Sequence, residues 1–276
     1  MVSRQYRHNF VTRLTHWINA LALLILIMSG LQIFNAYPNL HWGHTSEPEE
    51  AFFTISATEE AGEIIGYVRF YNWSVNTTGF LGIQNTPEGP FPRAFPSWLT
   101  IPGFFWLAGG RRWHFFFAWV FVLNGLFYFV YNLITGHLRK FMPASQFQLM
   151  GYSAWQKIIY LGVFLILTPV VIVSGLAMSP QLNVAYHWLP ELFGGRQSAR
   201  SIHFLATLVF ALFTFGHVFM VLVSGFVNNM RSMITGWYAQ EVRYAQRAPV
   251  RADAPTEESK EPAVLPFKED EKNEEP

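Results

Sequence analysis

The chain has 276 residues, of which 51% are hydrophobic and 17% aromatic but only 13% charged. Soluble domains carry about 25% charged residues, so this composition, with its long apolar runs, excludes an ordinary soluble domain and points to a membrane protein. The chain has no cysteine, which excludes disulfides, thiolate metal sites, iron–sulfur ligation and covalent c-type haem attachment, while the net charge of +1 says little because acids and bases sit in different places.

The N-terminus is basic (Arg4, Arg7, Arg13) and leads into a first apolar segment over about 11–34, VTRLTHWINALALLILIMSGLQIF. This run is longer than the apolar core of a signal peptide, and Ser29-Gly30-Leu31 lacks a small-x-small cleavage pattern, so it reads as a retained span. The loop 35–110 follows, rich in Gly, Pro, Asn and aromatics. It is too long for a plain connector, and short strands and turns capping the periplasmic face are expected. Three further spans follow at about 113–134, 158–178 and 201–224, each near the roughly 20 residues needed to cross a bilayer. None of the four spans contains an acid, and only Arg13 is basic. From about residue 249 the chain is Pro, Glu and Lys with little to bury, which predicts a disordered acidic tail.

Lys and Arg in short flanking segments set orientation. They gather at the N-terminus, between spans two and three (Arg139, Lys140, Lys157), and after span four (Arg231, Arg243, Arg247). Both termini are therefore expected in the cytoplasm of a bacterial inner-membrane protein. Arg111, Arg112, Arg196 and Arg200 sit at helix mouths on the other side, where they either snorkel or meet an anionic group. The fold class expected is an all-α membrane protein, a four-helix bundle over residues 1–248.

Nine histidines are present. His8, His41, His44, His137 and His187 fall in tails, loops or helix ends, and His41 and His44 make only a weak metal signal. His16, His114, His203 and His217 lie within spans, where an ionisable residue is a functional hypothesis by default. With about 1.5 Å of rise per residue, His16 lies near the cytoplasmic side and His114 near the periplasmic side. His203 is shallow on the periplasmic side, and His217 lies roughly 21 Å deeper. Two layers result: His114 with His203, and His16 with His217. Fourteen residues fall about 40° short of four full turns, so His203 and His217 share a face.

Two layers with two imidazoles each suit two six-coordinate b-type haems held by one histidine from span four and one from another helix. Gly30 shares the His16 face at the periplasmic depth, and Gly125 lies about 20° from His114 towards the cytoplasmic depth. Spans one and two would each supply a ligand at one layer and a gap at the other, although glycine also serves ordinary helix packing. Gly216 lies beside a proposed ligand. Helix-to-helix hydrogen bonding is the competing reading of a lone membrane histidine. His137 competes for the cytoplasmic layer, but at roughly 34 Å beyond His114 it reaches the water boundary.

The stretches TRLTHWINALALLILIMSGLQIFNA, GRRWHFFFAWVFVLNGL, GGRQSARSIHF and HVFMVLVSGFVNNMRSMITG resemble the di-haem cytochrome b membrane subunits of bacterial respiratory oxidoreductases. That family includes the cytochrome b of nickel–iron hydrogenases, the gamma subunit of formate dehydrogenase and the cytochrome b subunit of thiosulfate reductase, and the last three stretches look closest to the thiosulfate-reductase-like branch. The resemblance covers roughly residues 5–240 and implies haem ligation by His16 with His217 and by His114 with His203. The loop 35–110 is far longer than in the formate dehydrogenase subunit, and the acidic tail has no counterpart there.

The expectation is an electron-transfer subunit, not itself an enzyme, passing electrons between membrane quinone at the cytoplasmic haem and a periplasmic partner at the other. The resemblance implies that the partner is a molybdopterin oxidoreductase or, alternatively, a nickel–iron hydrogenase. Lipid is the solvent of the spans, and nucleic acid is not expected as a partner. Arg111, Arg112 and Arg200 are candidates for the haem propionates or an acidic partner surface. Asn19, His137, Asn228 and Asn229 are candidates near quinone. A histidine-based proton-coupled transporter would place acids inside the spans, and a di-iron hydroxylase would need clustered histidines and carboxylates. Neither pattern is present.

Overall fold

A computed structural model describes residues 2–136 and 154–241. The acidic tail and His137 lie outside the described residues. Four helical stretches are long and apolar enough to cross a membrane: Phe10–Phe34, Leu107–Ile134, Ile158–Ala177 and Arg196–Val223. Most of their apolar side chains point outward, Leu212 and Phe215 being 70% and 74% exposed. Such a surface is stable only against hydrocarbon.

The chain opens with strand β1 (Val2–Tyr6), which pairs antiparallel with the last strand, β8 (Trp237–Glu241). The first and last described elements therefore lie at one end of the bundle, as an even number of crossings requires. Helix α1 (Phe10–Phe34) starts on Asn9, whose side chain accepts from the Thr12 N–H at 2.8 Å and so satisfies a free amide of the first turn. At this end the Arg13 guanidinium donates to the Ile234 carbonyl, and the Trp17 indole N–H donates to the Met233 carbonyl at 3.1 Å. Both carbonyls belong to α8 (Phe226–Thr235).

Between α1 and the next helix, α2 (Leu107–Ile134), the chain forms a β cap at the opposite end. Strands β2 (Asn39–Leu40), β3 (Phe53–Glu60), β4 (Glu63–Phe70) and β5 (Trp73–Asn76) make an antiparallel sheet in that order, and β6 (Gly82–Thr86) pairs with β7 (Gly89–Arg93). Strands were expected here, but β3 and β4 run eight residues each, longer than a mere turn-rich cover. The cap shares its core with the bundle. Leu40, Phe52, Ile55 and Ala94 bury against Phe34, at the end of α1, and Phe204 of the fourth span. The rings of Phe34 and Phe204 stack at 4.4 Å. Cap and bundle are thus one packed unit.

Two spans begin earlier than hydropathy suggests. Helix α2 (Leu107–Ile134) takes in Leu107-Ala108-Gly109-Gly110-Arg111-Arg112 before the apolar run. The close approach of α1 explains the glycine at 110, where a Cβ would stand 2.9 Å from Gln32 Cγ. Helix α7 (Arg196–Val223) starts five residues before Ser201. There Gly195 has φ +117, and a Cβ on it would stand 2.4 Å from the Gly43 carbonyl oxygen. That same carbonyl accepts from the Gln197 and Ser198 amides at 3.0 and 3.3 Å. A cap residue from the loop thereby sets where the fourth span begins, an event no hydropathy window registers.

The third span is α3 (Ala154–Gly162), a π-helical turn (Val163–Leu167) and α4 (Thr168–Ala177). Pro169 has no N–H and would orphan a carbonyl of the preceding turn. The wider turn absorbs this, with the Thr168 hydroxyl donating to the Val163 carbonyl at 2.9 Å. Short helices α5 (Pro180–Ala185) and α6 (Trp188–Glu191) link α4 to α7. Helix α1 packs along α2, and α4 along α7, leaving a seam between two helix pairs.

Where α1, α2 and the cap meet lies Arg93, only 5% exposed. Its guanidinium donates to Gln84 Oε1 and the Gly103 carbonyl, both at 2.9 Å, and to Gln32 Oε1 at 2.8 Å and Thr100 Oγ1 at 2.7 Å. Every acceptor is neutral. Burial lowers its pKa from the ordinary arginine value, yet an arginine remains protonated at neutral pH.

Candidate functional site

The four span histidines fall into two pairs across the seam. At the cap end, His114 of α2 faces His203 of α7, with ring centroids 6.2 Å apart and planes at 68°. At the terminal end, His16 of α1 faces His217 of α7, again at 6.2 Å, with planes at 55°. Depth along the helices had paired the same residues. Metal–imidazole bonds are about 2.0 Å long and a ring centre lies about 1.1 Å beyond its nitrogen, so two imidazoles on opposite sides of one metal stand about 6.2 Å apart. Both pairs match that separation.

Hydrogen bonds orient the rings. The Ser29 hydroxyl donates to the Ile25 carbonyl at 2.6 Å, so its oxygen accepts from His114 Nδ1–H at 3.1 Å. His203 Nδ1–H donates to the Val171 carbonyl at 2.9 Å. Ser174 Oγ lies 3.2 Å from the same nitrogen, its own proton directed to the Val170 carbonyl at 2.6 Å. In each ring Nδ1 carries the proton, which leaves the Nε2 lone pair for an electrophile in the seam. At the other end the Tyr160 hydroxyl is 3.1 Å from His217 Nδ1, and Phe213 stacks on the same ring at 6.1 Å. His16 Nδ1 is buried with no hydrogen-bond partner.

A repeat underlies the cap-end pair. Ser29-Gly30-Leu31 in α1 and Ser174-Gly175-Leu176 in α4 each place a serine against one Nδ1 and a glycine against the same ring. A Cβ on Gly30 would stand 3.4 Å from His114 Cε1, and one on Gly175 3.2 Å from His203 Cε1. Gly30 was expected at this depth. Ser29, Ser174, Gly175 and Tyr160 were not singled out, although the recurrence of S-G-L in spans one and three was a visible signal. A Cβ on Gly125 or Gly216 would meet nothing within 4 Å, so helix packing does not account for either glycine.

The arginines divide. Arg200 donates to the Tyr37 carbonyl and lies over the Phe34 and Tyr37 rings at 5.8 and 5.1 Å. Arg112 is exposed and lies over the Trp106 ring, and Arg111 over Phe115. Of the candidate quinone contacts, Asn19 accepts from Asn124 Nδ2 at 2.8 Å, a bond that joins α1 to α2. Asn228 accepts from the Ala239 amide at 2.9 Å and joins α8 to β8. Asn229 donates to Ser224 Oγ at 3.0 Å.

His41 is buried, with Nε2–H donating to the Glu47 carbonyl at 2.9 Å. His44 is exposed, 3.6 Å from the Glu191 carboxylate. Among the described residues no three His, Asp or Glu side chains converge as a metal site. The donor set fits a metal-centred cofactor that brings most of its own ligands and would take one nitrogen from each histidine of a pair. It does not fit a bare ion that needs four protein ligands.

The sequence profile of the family described as prokaryotic cytochrome b561 matches residues 7–236. Among curated proteins, YedZ1 of Azospira oryzae, whose name assigns it provisionally as a protein-methionine-sulfoxide reductase subunit, is 28% identical over 228 residues. The match covers 76% of this chain and 86% of that protein. No solved structure matches the chain significantly.

Proposed function

The chain belongs to the prokaryotic cytochrome b561 family, and from that premise we propose that it is a di-haem electron conduit linking membrane quinone to an oxidoreductase docked at the β cap. Family membership implies b-type haem and electron transfer within an integral membrane protein. The finer reading rests on one observation: two histidine pairs, each 6.2 Å between centroids, have their α7 members fourteen residues apart. His114 and His203 would hold one haem, and His16 and His217 the other. Bound haem supplies one-electron chemistry between ferric and ferrous iron.

The chain's own residues supply orientation and insulation. Ser29, Ser174 and the Val171 carbonyl hold the cap-end rings with Nε2 towards the seam. Gly30 and Gly175 let α1 and α4 approach those rings. The outward apolar faces keep the seam in hydrocarbon. The cap end is assigned to the periplasm and the β1–β8 end to the cytoplasm, in line with the basic residues at the latter.

A molybdopterin enzyme is the partner class proposed. The likeness to a subunit named for protein-methionine-sulfoxide reduction favours a reductase over a hydrogenase. Reducing a sulfoxide to a thioether and water consumes two electrons and two protons, so electrons would run from quinol towards the cap. A reduced-minus-oxidised spectrum of the purified protein tests this reading, with two b-type haems per chain expected. His114→Ala and His203→Ala should remove one and the same haem, and His16→Ala and His217→Ala the other. A missing α band refutes haem binding, and loss of different haems within a pair refutes the pairing.

A further inference from the structure

We propose that Arg93 of the cap is a built-in positive charge that raises the reduction potential of the cap-end redox centre. The inference rests on the di-haem reading above.

Three observations carry it. First, Arg93 is 5% exposed and its four terminal N–H groups are all spent on neutral acceptors: Gln84, Gly103, Gln32 and Thr100. Its Nε is buried without a partner. No acid answers it among the described residues. A buried charge that is hydrogen-bonded but not neutralised is costly.

Second, its position is directed at the histidine pair. Gln32, which accepts from Arg93, lies three residues beyond Ser29, whose oxygen meets His114 Nδ1. Gly110, against which Gln32 packs, lies four residues before His114. Both helices therefore put Gln32, which accepts from the guanidinium, about one turn, roughly 5 Å along the axis, outside the cap-end pair. The terminal-end pair is a further fourteen residues away on α7, roughly 21 Å.

Third, the side chains that lead from Arg93 to His114 are closed off from solvent. Ser29 and Gln32 are both fully buried. A fixed charge acts far more strongly across such a medium than through solvent. Gain of one electron makes the centre one unit more negative, and a fixed cation beside it stabilises that form. Arg111 and Arg112 stand at a similar depth but are exposed, so solvent and ions screen them. Arg200, three residues before His203 on α7, is only half-buried and donates to the Tyr37 carbonyl, so Arg93 is the fully enclosed charge at this end.

The test is a redox titration of the holoprotein in detergent, following both haems. Arg93→Gln should shift the cap-end midpoint potential to more negative values and leave the other haem unmoved. Arg93→Lys, which keeps the charge but loses the fork, should restore most of the wild-type value. Since removing the fork risks loosening the cap, Gln32→Glu provides an independent variant. It keeps an acceptor at the guanidinium while adding the missing negative charge, and should lower the same potential as Arg93→Gln does. Unchanged potentials in Arg93→Gln and Gln32→Glu, or equal shifts of both haems, overturn the inference. Equal shifts in Arg93→Gln and Arg93→Lys also overturn it, because they would show that the fork matters and not the charge. The absence of any b-type α band in the wild type is a separate result and would defeat the di-haem reading itself.

Discussion

On the proposed di-haem reading, removing the two serines should affect the cap-end haem unequally. His203 Nδ1–H has the Val171 carbonyl at 2.9 Å, closer than Ser174 Oγ at 3.2 Å. Ser174→Ala therefore deletes the longer of two contacts and leaves the ring oriented. His114 relies on Ser29 Oγ at 3.1 Å, with the Leu26 carbonyl as a weaker contact on the same helix. Ser29→Ala should let that ring turn. A neutral hydrogen bond contributes about 1 kcal/mol net, and loss of the partner that orients a metal-ligating histidine lowers affinity about 10–100-fold. At about 1.4 kcal/mol per tenfold, Ser29→Ala should weaken cap-end haem binding by roughly 1.4–2.8 kcal/mol, and Ser174→Ala by less than about 0.75 kcal/mol, half of one hydrogen bond's upper range. Neither serine needs its side chain for helix integrity, because each hydroxyl returns to a carbonyl of its own helix. Haem titration into the apoprotein, read at the Soret band with the terminal-end haem as internal control, gives both affinities. An equal or larger loss in Ser174→Ala, or a loss at the terminal-end site in either variant, would refute the hydrogen-bond argument.

Gly125 offers a second check. A Cβ there meets no atom within 4 Å, so Gly125→Phe should leave folding and the cap-end haem intact but block the terminal-end haem, as absorbance per mole of protein would reveal. Full occupancy in that variant would return Gly125 to a packing role. At the terminal end outside the spans, His8 is held below the usual histidine pKa by burial first and then by the charges of Arg7 and Arg13. The unfolded chain binds the proton more readily, so this residue's stabilising contribution is complete above about pH 6.5 and is lost as pH falls through the lowered folded value. His8→Gln should flatten the acid side of the thermal-stability profile over that window, and an unchanged slope would count against it.

The spans, their number and the two-layer placement of histidines were legible in the chain alone. Each depends on quantities that run along a single helix: apolar length, a fixed rise per residue and a fixed rotation per residue. His203 and His217 share a face for that reason, and only one other span histidine lies at each depth, so proximity to His114 and His16 followed. What lies across the seam is different in kind. Ser174 meets His203 from α4, Tyr160 meets His217 from α3, and Ser29 meets His114 from α1. Such contacts depend on how helices pack sideways, which no periodicity encodes. The same holds for the early starts of α2 and α7, set by glycines and a borrowed Gly43 carbonyl rather than by hydropathy. It holds most of all for Arg93, which in sequence is one of two arginines in a loop full of glutamates. Only the folded cap, closing over Gln32 and Thr100, removes it from water and leaves its charge unanswered beside the upper histidine pair.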